Sequence, residues 1–201
     1  MTIFFIADNH LDHKNILEFE NRPFENIDEM KKKMIEAWNA IVAKTDTVYI
    51  VGDFCFGNHK SWIEALDQLK GNIILVKGNH DKPKIIQRVM REGYLQEVHE
   101  VGTIIEDNKL FFYLSHFPME IGERPQMFNI SGHIHSEPSK MINQINVGVD
   151  SKFMRDYYSI SDVPFGTPVP LEYVTGYAET INKEMKVKYA RGVWIYEKSK
   201  S

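Results

Sequence analysis

Five short polar segments hold the residues whose types and spacing suit chemistry: Asp8-Asn9-His10, Gly52-Asp53, Gly78-Asn79-His80-Asp81, Ser115-His116 and Gly132-His133-Ile134-His135. They contain five of the eight histidines, so histidine is concentrated at these points rather than spread over the chain. Asp8 and His10 stand two apart, as do His133 and His135; in extended backbone each pair points to one side. Such pairs can grip one or two cations between them. Asp53 can bridge two metals with its two oxygens, and Asn79 adds a neutral oxygen donor. Gly78 in front of Asn79 allows a close backbone approach or a positive φ. Mixed oxygen and imidazole donors suit Mn, Fe, Zn, Co or Ni better than Mg or Ca, which prefer all-oxygen shells. Taken singly the segments are ordinary. Gly-Asn-His-Asp is good turn composition, and lone histidines such as His59 and His99 are usually surface or satisfied core residues. The conjunction carries the argument, because each segment directly follows an apolar run.

Those runs are the elements that must position the polar segments. Residues 3–7, 47–51, 72–77, 109–115, 127–131 and 144–149 are short, rich in Val, Ile, Phe or Tyr, and bounded by Gly, Asp or Asn, which is a buried-strand signal. Between them, residues 26–43, 61–70 and 82–92 read as helices. In the first, Ile27, Met30, Met34, Ile35, Trp38 and Ile41 recur at helical spacing, and Pro83 suits a helix start. Residues 98–106 and 109–114 flank Asp107-Asn108 as an antiparallel hairpin. Further on, 162–170 reads as a proline-rich loop, 171–188 as a helix and 192–196 as a short edge strand. Alternating strands and helices predict α/β layers. In α/β sheets ligands bind beyond the carboxyl ends of strands, so the five clusters can converge on one site.

Composition narrows the function. A length of 201 residues suits one domain, expected over 1–201, with the motifs in 1–150 and an extension of open role over 151–201. No apolar run approaches the ~20 residues of a membrane span, and the N-terminus lacks the basic region of a signal peptide. The single cysteine, Cys55, excludes an intrachain disulfide framework and makes a reducing, cytoplasmic location the default. No Cys-x5-Arg phosphatase loop surrounds it, so it reads as a small buried residue. With a formal net charge of −4 the chain shows no basic surplus for gripping long duplex DNA. Two divalent cations would still concentrate positive charge at one point of an acidic protein.

Asp8-x-His10, Gly52-Asp53, Gly78-Asn79-His80-Asp81, His116 and Gly132-His133-x-His135, in this order, resemble the signature of the calcineurin-like metallophosphoesterases. Arg22-Pro23-Phe24, Trp38-Asn39, Ser115-His116-Phe117-Pro118 and Asn146-Val147-Gly148-Val149-Asp150 resemble its small bacterial and phage branch. The resemblance implies a four-layer αββα sandwich of two mixed β-sheets flanked by helices. It also implies roles. Asp8, His10 and His135 would hold one metal, Asn79, His116 and His133 a second, and Asp53 would bridge them. His80 would be the acid near the leaving group, oriented by Asp81. His13 and Asn15 follow the first motif and can reach the rim of the site; with Arg22 they are the candidate substrate contacts. Phe54 and Phe117, each following a ligand residue, are possible stacking surfaces for a base.

The expected reaction is phosphoester hydrolysis by a hydroxide bridging two divalent cations, Mn foremost, with no covalent intermediate. Phosphodiesters are favoured as substrates: nucleotides, cyclic nucleotides or short single-stranded nucleic acid. A monoester dianion is best held by dedicated arginines, and none of the six arginines lies in a metal motif. Phosphomonoesters of a small metabolite or phosphoprotein are the alternative. A metal-free scaffold with this fold is the third reading, separated from the others by metal content.

Overall fold

Along three of the apolar runs, Phe4, Ile6, Val48, Ile50, Ile73 and Leu75 alternate with Phe5, Val51 and Val76, so these strands are apolar on both faces and must be buried on both. The computed structural model, which describes residues 1–190, shows how. β1 (Ile3–Ile6), β2 (Thr47–Ile50), β3 (Asn72–Val76) and β4 (Glu97–His99) form parallel neighbours in one sheet. One face of this sheet packs on α1 (Ile16–Phe19), α2 (Ile27–Ile41), α3 (His59–Leu66) and α4 (Pro83–Arg91) through Met30, Met34, Trp38, Trp62 and Val89. Caps fix where the helices begin. Asn26 accepts from Glu29 N–H and Asn58 from Lys60 and Ser61 N–H, while Pro83 opens α4.

The other face meets a second sheet, ordered β5 (Gly102–Asp107), β6 (Leu110–Ser115), β7 (Met127–Ser131) and β8 (Gln144–Asn146). Here β5–β6 is antiparallel and the remaining pairs are parallel. Phe112, Leu114, Phe128, Ile130 and Ile145 share a buried cluster with Phe5, Val51 and Val76. That cluster also takes Met154 and Tyr157 of α5 (Lys152–Ile160) and Val174, Ala178 and Met185 of α6 (Leu171–Ala190). The result is the expected α/β architecture of two mixed sheets with flanking helices. No helix among the described residues is long and apolar enough to cross a membrane.

Three local readings are corrected. Residues 98–106 are not one strand: β4 belongs to the first sheet and β5 to the second. Val101, an apolar residue 82% exposed, sits in the crossing and imitates strand continuity. Within the proline-rich stretch, β9 (Val169–Pro170) pairs antiparallel with Phe4 and Phe5 of β1; proline is tolerated because this is a sheet edge. Helix α5, unforeseen, is marked by Ser151, whose hydroxyl accepts from Met154 N–H, and by Met154, Tyr157 and Tyr158 at helical spacing. The strand expected at 192–196 lies outside the described residues.

Burial assigns unequal weight to neighbouring strands. Phe112→Ala empties a site with no exposure and should cost about 3–5 kcal/mol. Ile104→Ala, on exposed β5, should stay within about 0.5 kcal/mol of the parent. Urea unfolding of both variants checks this; equal losses would contradict the packing of the two sheets.

Candidate metal centre

The two sheets meet where the polar segments leave them. Ala7 N–H donates to Val147 carbonyl at 2.9 Å, and Val149 N–H to Ala7 carbonyl at 3.1 Å, tying the end of β1 to the chain beyond β8. Loops after β1, β2 and β3 therefore face loops after β6 and β7. Ligand-type atoms of Asp8, His10 and His135 lie within 4.8 Å of one another, as do those of Asp8, Asp53 and His116. Asn79 Oδ1 is 2.9 Å from both His116 Nε2 and His133 Nδ1. Asp53 Oδ2 stands between the two groups, 3.6 Å from His10 Nε2 and 3.3 Å from His116 Nε2. Its other oxygen, Oδ1, accepts His80 N–H at 2.8 Å, so one carboxylate oxygen, not two, faces both groups.

The same-side geometry does not come from extended backbone. Asp8, His10, Asp53, His133 and His135 all have positive φ, between 48° and 71°. Each turn is held by the partner loop: Asp8 N–H donates to Gly52 carbonyl, His10 N–H to Asp53 carbonyl, and His133 N–H to the Asp8 carboxylate. Gly52 is required twice over, by a φ of +90° and because a Cβ there would fall 2.2 Å from His116 Nδ1. Gly78 serves by close approach, since a Cβ would meet Asp53 Oδ1 at 2.2 Å.

The donors fit a metal. His116 Nδ1 donates to Val51 carbonyl at 2.9 Å, which in the neutral ring leaves a lone pair on Nε2, aimed at the oxygens of Asn79 and Asp53. His10 Nε2 is buried without a hydrogen-bond partner. Burial raises Asp8 to about 6, against the pull of His135 and His116. Burial also opposes charge on His116 and His135, yet Asp53 raises the first and Asp150 the second above the ordinary range. Lone pairs and carboxylates converging on one spot call for positive charge there.

The comparison with known proteins agrees. The calcineurin-like phosphoesterase family matches residues 1–162. The chain belongs to that family. Uncharacterized protein MJ1445 of Methanocaldococcus jannaschii is 43% identical over 82 residues, 40% of this chain and 47% of that protein, so the match spans about half of MJ1445. The Gene 66 protein of Mycobacterium phage L5 is 29% identical over 179 residues, covering 73% of this chain and 86% of its own length, in keeping with a small phage-type branch. Among solved structures, the protein of unknown function AQ665 from Aquifex aeolicus has a TM-score of 0.65 at 25% identity, over 87% of this chain and 98% of that one. Calcineurin-like phosphoesterases hydrolyse phosphate esters with divalent metals; this chain is a metal-dependent phosphoesterase.

Two residues of the phosphoesterase site act from behind it. Arg22, read as a substrate contact, is buried with every N–H engaged. Nε and Nη2 fork onto Asp150 at 3.0 and 2.7 Å, Nη2 and Nη1 reach the carbonyls of Asp8 and Asn9 at 2.7 Å, and Nη1 also meets Met30 sulfur at 3.4 Å. Nothing remains for substrate. Asp150, absent from the sequence-derived site, joins Arg22 to His135 Nδ1 at 3.4 Å; it directly follows the apolar run 144–149, as the other polar segments follow theirs. Asp81 does not orient His80. It is buried, and its oxygens accept from Asp53, Phe54 and Gly78 N–H at 2.8–3.0 Å, clamping the Asp53 turn. Burial raises it to about 6.

The remaining candidates lie toward solvent. The His80 ring is exposed, 5.5 Å from His10 and 5.4 Å from Phe56 between centroids. His13 is half-buried, its ring 5.6 Å from His10. Asn15 is exposed at the start of α1. Phe54 packs in the core against Trp62 and offers no surface to a base, whereas Phe117 is exposed beside His116 and His133.

Because Arg22 holds the backbone of Asp8 and Asn9 without facing the metal groups, Arg22→Lys should fold yet bind metal poorly. It keeps the charge but loses the planar fork. Manganese affinity by calorimetric titration should fall roughly 10- to 100-fold, the usual effect of removing such a supporting contact. Unchanged affinity would mean that Arg22 serves stability alone.

Proposed function

We propose that this phosphoesterase holds two divalent cations, manganese foremost with Fe, Zn, Ni and Co also accommodated, and hydrolyses phosphodiesters of nucleotide type. In this reading Asp8, His10 and His135 would hold one ion, Asn79, His116 and His133 the other, and Asp53 would be shared between them. The observation that carries it is the position of that oxygen between His10 Nε2 and His116 Nε2. Charge supports it too. Asp8, Asp53, Asp81 and Asp150 are all buried here, while Arg22 alone brings a buried guanidinium and is matched to Asp150. Asp81 spreads its charge over three backbone N–H groups, which leaves Asp8 and Asp53 to be balanced by cations.

When bound, the two ions supply an activated water and neutralise charge on the phosphoryl oxygens. The protein's own part is positional. Asp53 Oδ1 accepts His80 N–H and so sets the backbone from which the exposed imidazole reaches the mouth of the site; there it delivers a proton to the departing oxygen. His116 is fixed by Val51 carbonyl and His135 by Asp150, so the faces they present to the ions do not reorganise during reaction.

Diesters are favoured over monoesters because the one arginine bonded to the ligand loops among the described residues is fully engaged below them. A dianion lacks its guanidinium clamp, whereas the single charge of a diester matches two cations and His80.

Two measurements test this. Asp53→Asn should lose metal and activity together, while His80→Ala should retain two ions by elemental analysis and lose roughly 10²–10⁴ in turnover. Two ions retained in Asp53→Asn would remove the bridging assignment, and metal loss in His80→Ala would make His80 a ligand.

With Mn2+ present, kcat/KM for bis(p-nitrophenyl) phosphate should exceed that for p-nitrophenyl phosphate. The reverse order would make the enzyme a phosphomonoesterase.

A further inference from the structure

Exposed phenylalanine is uncommon in this chain and is concentrated at the mouth of the metal groups. Phe19, Phe56, Phe111 and Phe117 are the phenylalanines more than a third exposed among the described residues. Three of the four lie against histidines of the site. Phe56, 40% exposed, stands edge-on to His13 at 4.3 Å and tilts over His80 at 5.4 Å. Phe19 extends that side, 6.2 Å from His13. Phe117, 53% exposed, lies 4.5 Å from His133 and 5.3 Å from His116. The Phe56 side thus borders the His10 group and the Phe117 side borders the His116–His133 group.

Both rings stand on anchored backbone. Phe56 N–H donates to Leu11 carbonyl at 2.8 Å, and Ser115 hydroxyl donates to Phe117 carbonyl at 2.7 Å. Exposed apolar rings held rigid beside a reaction centre are low-cost stacking surfaces for flat aromatic groups. Lys82 Nζ lies 5.9 Å from the centre of the Phe56 ring, bringing positive charge to the same side. A monoester has one organic arm and needs one such surface; a linear diester has two arms.

We infer that Phe56 and Phe117 are the two base-stacking platforms of the site, and that its substrates are linear phosphodiesters joining two nucleosides, one base on each ring. This rests on the phosphodiesterase reading and narrows it: a 2′,3′-cyclic mononucleotide has one base and fills one platform only.

The experiment compares Phe56→Leu, Phe117→Leu and Phe111→Leu, the last as an exposed control on β6, using Mn2+-loaded protein. Substrates are thymidylyl-3′,5′-thymidine, methyl p-nitrophenyl phosphate with one aromatic arm, and p-nitrophenyl phosphate. Phe56→Leu and Phe117→Leu should each lower kcat/KM for the dinucleotide roughly 5- to 100-fold, the worth of one stacked base, with the loss mainly in KM. Metal content should be unchanged. Phe111→Leu should match wild type, and at most one of the two platform variants should affect the methyl ester. If wild type cleaves the dinucleotide and both variants match it within twofold, the inference fails while the phosphodiesterase reading stands. A loss in one variant only overturns the two-platform assignment. If wild type cleaves p-nitrophenyl phosphate and neither diester, both readings fall together.

Discussion

A buried guanidinium fork underlies the whole site. Taking Arg22 and Asp150 out of water costs several kcal/mol per ion before their attraction is counted, so such a pair is a poor way to gain stability alone. Its geometry indicates a positional role. Through Arg22 the pair holds the carbonyls of Asp8 and Asn9; through Asp150 it reaches the ring of His135. Three segments that leave β1, β7 and β8 are thereby fixed to one rigid group. The C-terminal segment contributes to keeping the pair dry, with the Phe165 ring 5.8 Å from the guanidinium carbon and α5 starting at Ser151, directly after Asp150. Residues 151–190 thus help to build the metal groups, although none of them belongs to those groups.

Rigid support is needed because the ligand turns are strained. A non-glycine residue in the left-handed region gives up roughly 1–2 kcal/mol, and Asp8, His10, Asp53, His133 and His135 all adopt it. The compensation is architectural. Each turn lies immediately beyond a strand buried on both faces, and crossed hydrogen bonds join the turns in pairs: Asp8 to Gly52, His10 to Asp53, His133 to Asp8. The donor atoms of Asp8, His10, His133 and His135 are turned inward by these positive-φ turns and not by alternation along extended backbone. Asp81 completes the arrangement by collecting the N–H groups of Asp53, Phe54 and Gly78 onto one carboxylate.

What could be read from the residues follows from which signals are local. Strands β1, β2, β3, β6 and β7 and helices α2, α3 and α4 announce themselves through apolar runs, caps and periodicity, and the polar segments through their place after those runs. Non-local facts were not legible. Nothing near Val101 tells that the chain changes sheets there, because an apolar residue continues the pattern. Val169–Pro170 becomes a strand only because β1 offers an edge. Arg22 reads as a substrate contact and Asp81, through the family resemblance, as the partner of His80, while their burial, and hence their structural roles, depends on partners 128 and 27–28 residues away. Helix α5 is the exception: its cap, Ser151, and the spacing of Met154, Tyr157 and Tyr158 are local signals.

The charge distribution explains how an acidic chain can handle phosphate. Its net charge of −4 gives no general attraction for an anion. The buried carboxylates would instead draw cations to one point, where bound cations would supply short-range attraction for a phosphoryl group. On that reading, attraction for substrate depends on metal loading. On the proposed reading, discrimination among small esters falls to the groups that line the mouth. His80 and His13 stand on one side with Phe56, and Phe117 stands on the other. With Arg22 committed below the ligand loops, the proposed reading leaves shape and stacking at these rings, rather than a guanidinium clamp, to discriminate among esters.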